Sequence, residues 1–196
     1  QGWHLMEACG FEVTSMEVNF AEHSSGRVSE LVQQAMAGTA GTVRTIGFSP
    51  DGQSLASAPL DRFIKVWDPV TGVLARDFVA HKGRVRSVSF SPDGSMIASG
   101  GADGQVRLWD SRTGYLQRQL TGHTGTIAAI VFSPDGRRLA SAGRDETVRL
   151  WDVTTGAMQA VEGEHRPWAL AFSPDGKLLA LADSGQAQLP LAQEVD

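Results

Sequence analysis

The sequence predicts an all-β protein built from four copies of one repeat. The tetrad Ser-Pro-Asp-Gly occurs four times at spacings of 42, 42 and 40 residues, always directly after a phenylalanine. The dipeptide Trp-Asp occurs three times at a spacing of 42, and Thr-Gly follows it each time. A fixed period of this length is the mark of a repeat architecture. The tetrads begin at Ser49, Ser91, Ser133 and Ser173, and the dipeptides at Trp67, Trp109 and Trp151.

Each repeat is predicted to contain four short strands, and the third repeat illustrates them in order. Strand a covers 126–132 and ends at the phenylalanine, after which proline presets a type I turn and glycine supplies a positive φ. Strand b covers 139–141, and a polar turn at 144–146 leads to strand c at 147–151. A second turn at 155–156 starts strand d. Short strands with turns every 8–12 residues and no helical period between them indicate an all-β array.

This pattern resembles the WD-repeat β-propeller family over about residues 38–196. The resemblance implies four-stranded antiparallel blades around a central channel, three to four of them in this chain. The residues that carry it are Gly122-His123, Phe132 to Gly136, Leu139 to Ser141, Asp145 and Val148 to Asp152, with their counterparts one repeat earlier. The repeats are expected at 38–79, 80–121 and 122–162, with a partial fourth at 163–196.

A histidine, a serine and an aspartate recur with each tryptophan, which on its own would fit a catalytic triad. The resemblance instead implies a structural network, in which the indole N–H binds Ser, Ser binds His and His binds Asp. This is physically reasonable because a buried indole N–H needs an acceptor, and because an enzyme needs one active site rather than one per blade. The complete sets are His81, Ser99, Asp103 and Trp109, then His123, Ser141, Asp145 and Trp151.

The first and fourth repeats depart from this set. The first has Ser57, Asp61 and Trp67 but carries Thr39 where the others have histidine. In the fourth, histidine comes two residues late, Leu181 replaces the serine, and no Trp-Asp follows.

The amino-acid composition and charge exclude several classes of protein. A chain of 196 residues with 41% hydrophobic residues and 22 glycines is neither a disordered tail nor a coiled coil. Its apolar runs are far shorter than the roughly 20 residues that cross a bilayer, so no membrane partner is expected. Residues 1–41 hold five glutamates against one arginine and account for most of the net charge of −5. Without a basic surface overall, nucleic acid is not expected as a partner.

No cofactor or metal is expected either. Neither phosphate-binding glycine motif occurs, and Cys9 has no second cysteine with which to form a disulfide or a zinc site. A single unpaired cysteine favours a reducing compartment, so a cytoplasmic location is expected.

The ring does not obviously close, because known propellers have at least about four blades and the fourth repeat lacks clear outer strands. Three solutions are ranked in this order. The chain, which begins with Gln rather than Met, is a fragment of a longer array; two chains associate through open blade edges; or the N-terminal extension completes a four-bladed ring. That extension, residues 1–37, alternates like a strand at 11–20 and has the apolar face of a short helix at 25–36.

A binding surface is predicted at one mouth of the channel. The resemblance implies that the loops leading into strand a and the turns between strands b and c surround this mouth. Arginine and tryptophan, the residues that dominate binding hot spots, are frequent there. The hypothesis is that the mouth binds a protein or an acidic peptide segment, with arginines pairing carboxylates and tryptophan as an apolar anchor. Ordinary solvated charge is the alternative. Each of these residues lies four or six positions before the phenylalanine of its repeat, or directly before the aspartate of the b–c turn. They are Arg44, Arg84, Arg86, Arg144, Arg166 and Trp168.

The sequence is therefore interpreted as a non-catalytic WD-repeat scaffold that mediates protein–protein interaction and complex assembly. The first alternative is the regulatory or sensor propeller of a larger multidomain enzyme, such as a kinase or a nucleotide-driven switch. A propeller hydrolase or lyase would need convergent acid, base or metal-binding groups beyond the repeated set, and the sequence offers none.

Overall fold

The computed structural model describes residues 43–162 and 167–183, and every regular element within them is a β-strand. The expectations for the N-terminal extension 1–37, Thr39 and Arg166 lie outside the described residues. The strands are β1 (Val43–Phe48), β2 (Leu55–Pro59), β3 (Phe63–Trp67), β4 (Leu74–Val79), β5 (Val85–Phe90), β6 (Met96–Gly101), β7 (Val106–Asp110), β8 (Leu116–Leu120), β9 (Ile127–Phe132), β10 (Arg138–Gly143), β11 (Thr147–Asp152), β12 (Met158–Glu162), β13 (Pro167–Phe172) and β14 (Leu179–Asp183).

The strands form three four-stranded antiparallel sheets and one two-stranded sheet, each paired in chain order. We call β1–β4, β5–β8, β9–β12 and β13–β14 blades 1 to 4. The all-β fold of four-stranded propeller blades predicted from the repeat is confirmed. Blade 4 contains β13 and β14 in the described part of the chain.

Neighbouring blades bury their apolar faces against each other. Strand β1 packs on β5, β5 on β9 and β9 on β13, so the first strand of every blade lies on the inner side. Between blades 1 and 2, Ile64 and Val66 pack with Ile97 and Trp109 in one buried cluster. Similar clusters join blade 2 to blade 3 and blade 3 to blade 4. Over residues 43–162 and 167–183 the sheets form an open series, as in part of a propeller.

The Ser-Pro-Asp-Gly turn has the same geometry in all four blades. In blade 3 the hydroxyl of Ser133 donates to Asp135 at 2.6 Å, and the amide of Arg138 donates back to that hydroxyl at 2.9 Å. The glycine φ angles lie between 69° and 72°, a range that suits glycine because it has no Cβ. This turn connects strands a and b at the end of the blade opposite the predicted mouth.

Within the described ranges, no helix is long and apolar enough to cross a membrane.

Candidate binding site

The polar network of blade 3 is a continuous chain of hydrogen bonds. The indole Nε1 of Trp151 donates to Ser141 Oγ at 2.8 Å. Since the Asp145 carboxylate can only accept, the proton of the neutral imidazole is on Nδ1, and the Ser141 hydroxyl donates to Nε2 of His123, 2.8 Å away. The other ring nitrogen, Nδ1, donates to Asp145 at 3.0 Å, and the amide of Thr124 donates to the same carboxylate at 2.8 Å. The network joins the loop before strand a to the turn between strands b and c.

Charge in this network lies on the aspartate. Burial lowers the pKa of His123 and outweighs the raising effect of its hydrogen bond to Asp145, so the imidazole is neutral at pH 7. Burial alone would raise the pKa of Asp145, but hydrogen bonds from Thr124, His123 and Thr147 lower it to about 2. Ser141 is 0% exposed, so its hydroxyl has no access to a substrate.

Blade 2 repeats the network and adds a buried arginine. Trp109 Nε1 donates to Ser99 Oγ at 2.8 Å, and His81 joins Ser99 and Asp103 at 2.7 and 2.9 Å. Arg107 donates to the Asp103 carboxylate at 3.0 Å. Burial lowers the pKa of His81. Burial would raise the pKa of Asp103, yet the hydrogen bond from Arg107 and the contact with His81 lower it.

In the described part of the chain, blades 1 and 4 show only parts of this arrangement. In blade 1, Trp67 Nε1 still donates to Ser57 Oγ at 2.8 Å, while Asp61 accepts the amide of Phe63 at 2.8 Å. In blade 4, Leu181 stands in the serine position and packs against the apolar cluster shared with blade 3. Blade 4 therefore replaces a hydrogen bond with apolar contact at this point.

The residue at the end of strand b decides whether a blade can hold the His–Asp pair. A Cβ at Gly143 would overlap both His123 and Asp145, and a Cβ at Gly101 would overlap the matching pair of blade 2. In blade 1 the corresponding position, paired with the first residue of strand a, is Pro59. The glycine and the histidine thus occur in the same blades because the imidazole occupies the space that a side chain would fill.

Loops predicted to surround one mouth do lie at one end of the blades. In blade 2 the amide of Ala102 donates to the carbonyl of Arg84 at 2.8 Å, so the b–c turn contacts the loop leading into strand a. The amide of Arg144 makes the equivalent 2.8 Å bond in blade 3, to the carbonyl of Thr126. We call this end, formed by the loops before strand a and the b–c turns, the mouth.

A β-bulge interrupts the first strand of every blade at the same position. The pairing register between strands a and b skips one residue near the start of strand a in all four blades. A bulge changes the direction of the side chain that it carries. The bulged residues are Arg44, Arg86, Ala128 and Trp168.

Four of the predicted arginines lie close together at the mouth. The pKa of Arg86 is lowered by burial and then by the positive charges of Arg44, Arg144 and Arg84. We call these four residues the arginine cluster. Arg84 and Arg144 are exposed, whereas Arg44 and Arg86 are half-buried.

The predicted aromatic anchor is not part of this cluster. Trp168 is 47% exposed and occupies the bulge of blade 4. Arg86 occupies the bulge of blade 2, and Ala128 of blade 3 comes between them in ring order. Among the described residues of the mouth, the arginines of the cluster lie on blades 1 to 3 and the exposed indole lies on blade 4.

Sequence reasoning missed two exposed basic residues at the same end. The carbonyl of Arg62 accepts the amides of Ala80 and His81 at 2.8 and 3.2 Å. The amide of Lys82 donates to the Asp103 carboxylate at 3.1 Å. Arg62 directly follows Asp61, and Lys82 directly follows His81. Because Asp61 and His81 are repeated residues of the mouth loops, their sequence neighbours could have been included in the prediction. Counting back from the phenylalanines does not reach them.

In the described ranges, no three histidine, cysteine, aspartate or glutamate side chains are grouped so as to hold a metal ion.

Four-stranded meander blades, the Ser-Pro-Asp-Gly turns and the Trp–Ser–His–Asp network together define a WD-repeat β-propeller. The family model described as the IFT122 first beta-propeller matches residues 42–190, which is well over half of the chain. The chain therefore belongs to the family of the IFT122 first β-propeller. No curated protein matches it.

Proposed function

We propose that this chain is a non-catalytic scaffold that binds an acidic segment of a partner protein at the mouth and thereby supports complex assembly in the cytoplasm. The arginine cluster is the observation that carries the proposal. Like charges repel, so holding four guanidinium groups together has a cost that an anionic partner would offset.

Burial in the rest of the molecule supports a structural role for the histidines. Ser99 and Ser141 are both fully buried, and the networks that contain them occur in two blades. Groups of this kind hold loops in place. The loops that the networks hold in place carry the arginines. The proposed binding surface is therefore the mouth and not the networks.

Charge pairing among the described residues does not account for three members of the cluster. Among the described residues, no hydrogen bond or ion pair reaches the guanidinium of Arg84, Arg86 or Arg144. Surface arginines usually have little effect on stability, so their arrangement is better explained by binding than by folding.

An array of glutamate-rich and neutral peptides tests the proposal with the whole chain. We expect glutamate-rich peptides to be retained and to be released as the salt concentration rises. The variant R84A/R86A/W168A should lose this binding, because it removes two cluster charges and the exposed indole.

The matched control is R112A/Y115A/R137A, which removes two exposed arginines and one exposed aromatic from the opposite end of blades 2 and 3. It should bind like the unmodified chain. Equal binding by R84A/R86A/W168A and the unmodified chain would refute the proposal.

A further inference from the structure

The charges of the arginine cluster are centred on Arg86 and are not arranged in a line. Arg44 and Arg86 occupy equivalent bulges on β1 and β5, which pack directly against each other. Arg84 precedes Arg86 by two residues, and Arg144 extends from the b–c turn of blade 3. All three contribute a repulsive charge at Arg86. A compact ligand that carries more than one negative charge suits this arrangement.

The guanidinium of Arg86 retains an unused donor. Its Nε is buried from solvent, and within the described ranges it has no hydrogen-bond partner. A buried donor without an acceptor destabilises the folded chain. Because this nitrogen is buried, a ligand would reach the terminal nitrogens of the guanidinium instead, and its negative charge would offset the repulsion from the neighbouring arginines.

We propose that the arginine cluster binds the phosphate group of a phosphorylated serine or threonine in the partner segment. The inference rests on the function proposed above and specifies its ligand. A phosphate monoester brings a charge of about −1.5 to −2 and three acceptor oxygens on one atom. Guanidinium groups match such oxygens with pairs of parallel hydrogen bonds.

A single carboxylate fits the cluster less well. It carries one charge, so several carboxylates would have to converge on Arg86. Successive side chains of an extended peptide lie on opposite faces, about 3.3 Å apart along the chain. An acidic run therefore spreads its charges along a line, whereas a phosphate concentrates them. Trp168, on the far side of Ala128, is placed to contact another residue of the same segment.

Three degenerate peptide libraries with identical flanking positions provide the test, with a central serine, glutamate or phosphoserine. Fluorescence anisotropy with the whole chain should give at least about tenfold tighter binding for phosphoserine than for glutamate, which is about 1.4 kcal/mol. The serine library should bind weakest. Inorganic phosphate should compete with the phosphoserine library.

Variants assign the effect to the cluster. R86K keeps the charge but removes the planar pair of terminal guanidinium nitrogens, so it should lose most of the preference for phosphoserine over glutamate. If R86K fails to fold, R84Q and R144Q alter exposed side chains and should each weaken phosphoserine binding several-fold. R112Q and R137Q, at the opposite end, should change nothing.

The remaining outcomes each overturn the inference. Equal binding of the phosphoserine and glutamate libraries would refute phosphate recognition while leaving the proposed acidic partner intact. Binding of neither library, together with a negative peptide array, would refute both proposals. Binding of vesicles that contain phosphatidylinositol phosphates, without binding of the phosphoserine library, would assign the cluster to a membrane surface instead.

Discussion

The indole nitrogen of Trp151 donates to the hydroxyl of Ser141 across neighbouring strands, over a distance of 2.8 Å. The same bond joins Trp109 to Ser99 and Trp67 to Ser57, again at 2.8 Å. It is therefore present in blade 1, where no histidine belongs to the repeat. The tryptophan–serine bond is the constant part of the network, and the histidine and aspartate are added to it in blades 2 and 3.

Removing the serine should cost more in blade 3 than in blade 1. In S141A both the Trp151 N–H and the His123 ring lose their partner, and we expect a loss of about 2–3 kcal/mol in the free energy of unfolding. In S57A one described partner, Trp67, is affected, and about 1–2 kcal/mol is expected. Urea denaturation of both variants measures the difference. Equal losses would contradict a cooperative network in blade 3.

Acidification should destabilise the protein through its buried histidines. Burial lowers the pKa of His81 and of His123 below the ordinary value of 6.5. The unfolded chain therefore takes up protons first as the pH falls. Their contribution to stability is complete above about pH 6.5 and is lost progressively below it.

Urea midpoints measured as a function of pH reveal this step. In H81Q/H123Q the decline just below pH 6.5 should be much smaller, although the variant is less stable at neutral pH. An unchanged pH profile in that variant would show that other groups are responsible. A second decline, between about pH 4 and 2, is expected from Asp145, whose pKa is lowered to about 2, and D145N should reduce it.

A methyl group at Gly143 should disrupt the His–Asp pair. The Cβ of G143A would overlap His123 and Asp145, and overpacking of this kind costs typically 1–3 kcal/mol. The matched control is G47A, whose Cβ would make only an ordinary contact with the Val88 carbonyl at 3.8 Å. Thermal denaturation should place G143A well below the unmodified chain and G47A close to it. Equal melting temperatures for the two variants would refute the steric argument.

Replacing Glu146 with glycine should stabilise the protein. Glu146 has a φ of 65°, while Gly104 holds the equivalent position of blade 2 at 71°. A side chain in the left-handed region costs roughly 1–2 kcal/mol, and the greater freedom of glycine in the unfolded chain offsets part of the gain. We expect E146G to raise the free energy of unfolding by about 1 kcal/mol. The reverse change, G104A, should lower it, and a loss of stability in E146G would contradict the prediction.

Much of the fold was predictable because its causes are local. Proline and glycine fix the turn after Phe132 whatever surrounds it, and the alternation in strand c places Val148 and Leu150 on a buried face. The members of the network could be named from the repeat. The structure was needed to show which histidine nitrogen meets the serine and which meets the aspartate.

The binding surface was predictable only in part. The position of Arg86 in the repeat was found by counting back from Phe90. The β-bulge at this position could not be predicted from the residue types. Arg, Ala and Trp all occupy that bulge, so no composition predicts it. The role of Pro59 could not be predicted either. Pro59 fills the space that glycine leaves open for the imidazole in blades 2 and 3, and this space is visible only in the structure.

The number of repeats follows from the sequence, because the motif recurs at a fixed period, and the turns follow from it because they depend on the residue types at neighbouring positions. The effect of Arg44 and Arg144, a hundred residues apart, on the pKa of Arg86 is visible only in the folded chain. That proximity depends on how closely the blades pack and on where the β-bulge interrupts the pairing of strands a and b. Both are properties of contacts between blades, which no single repeat specifies.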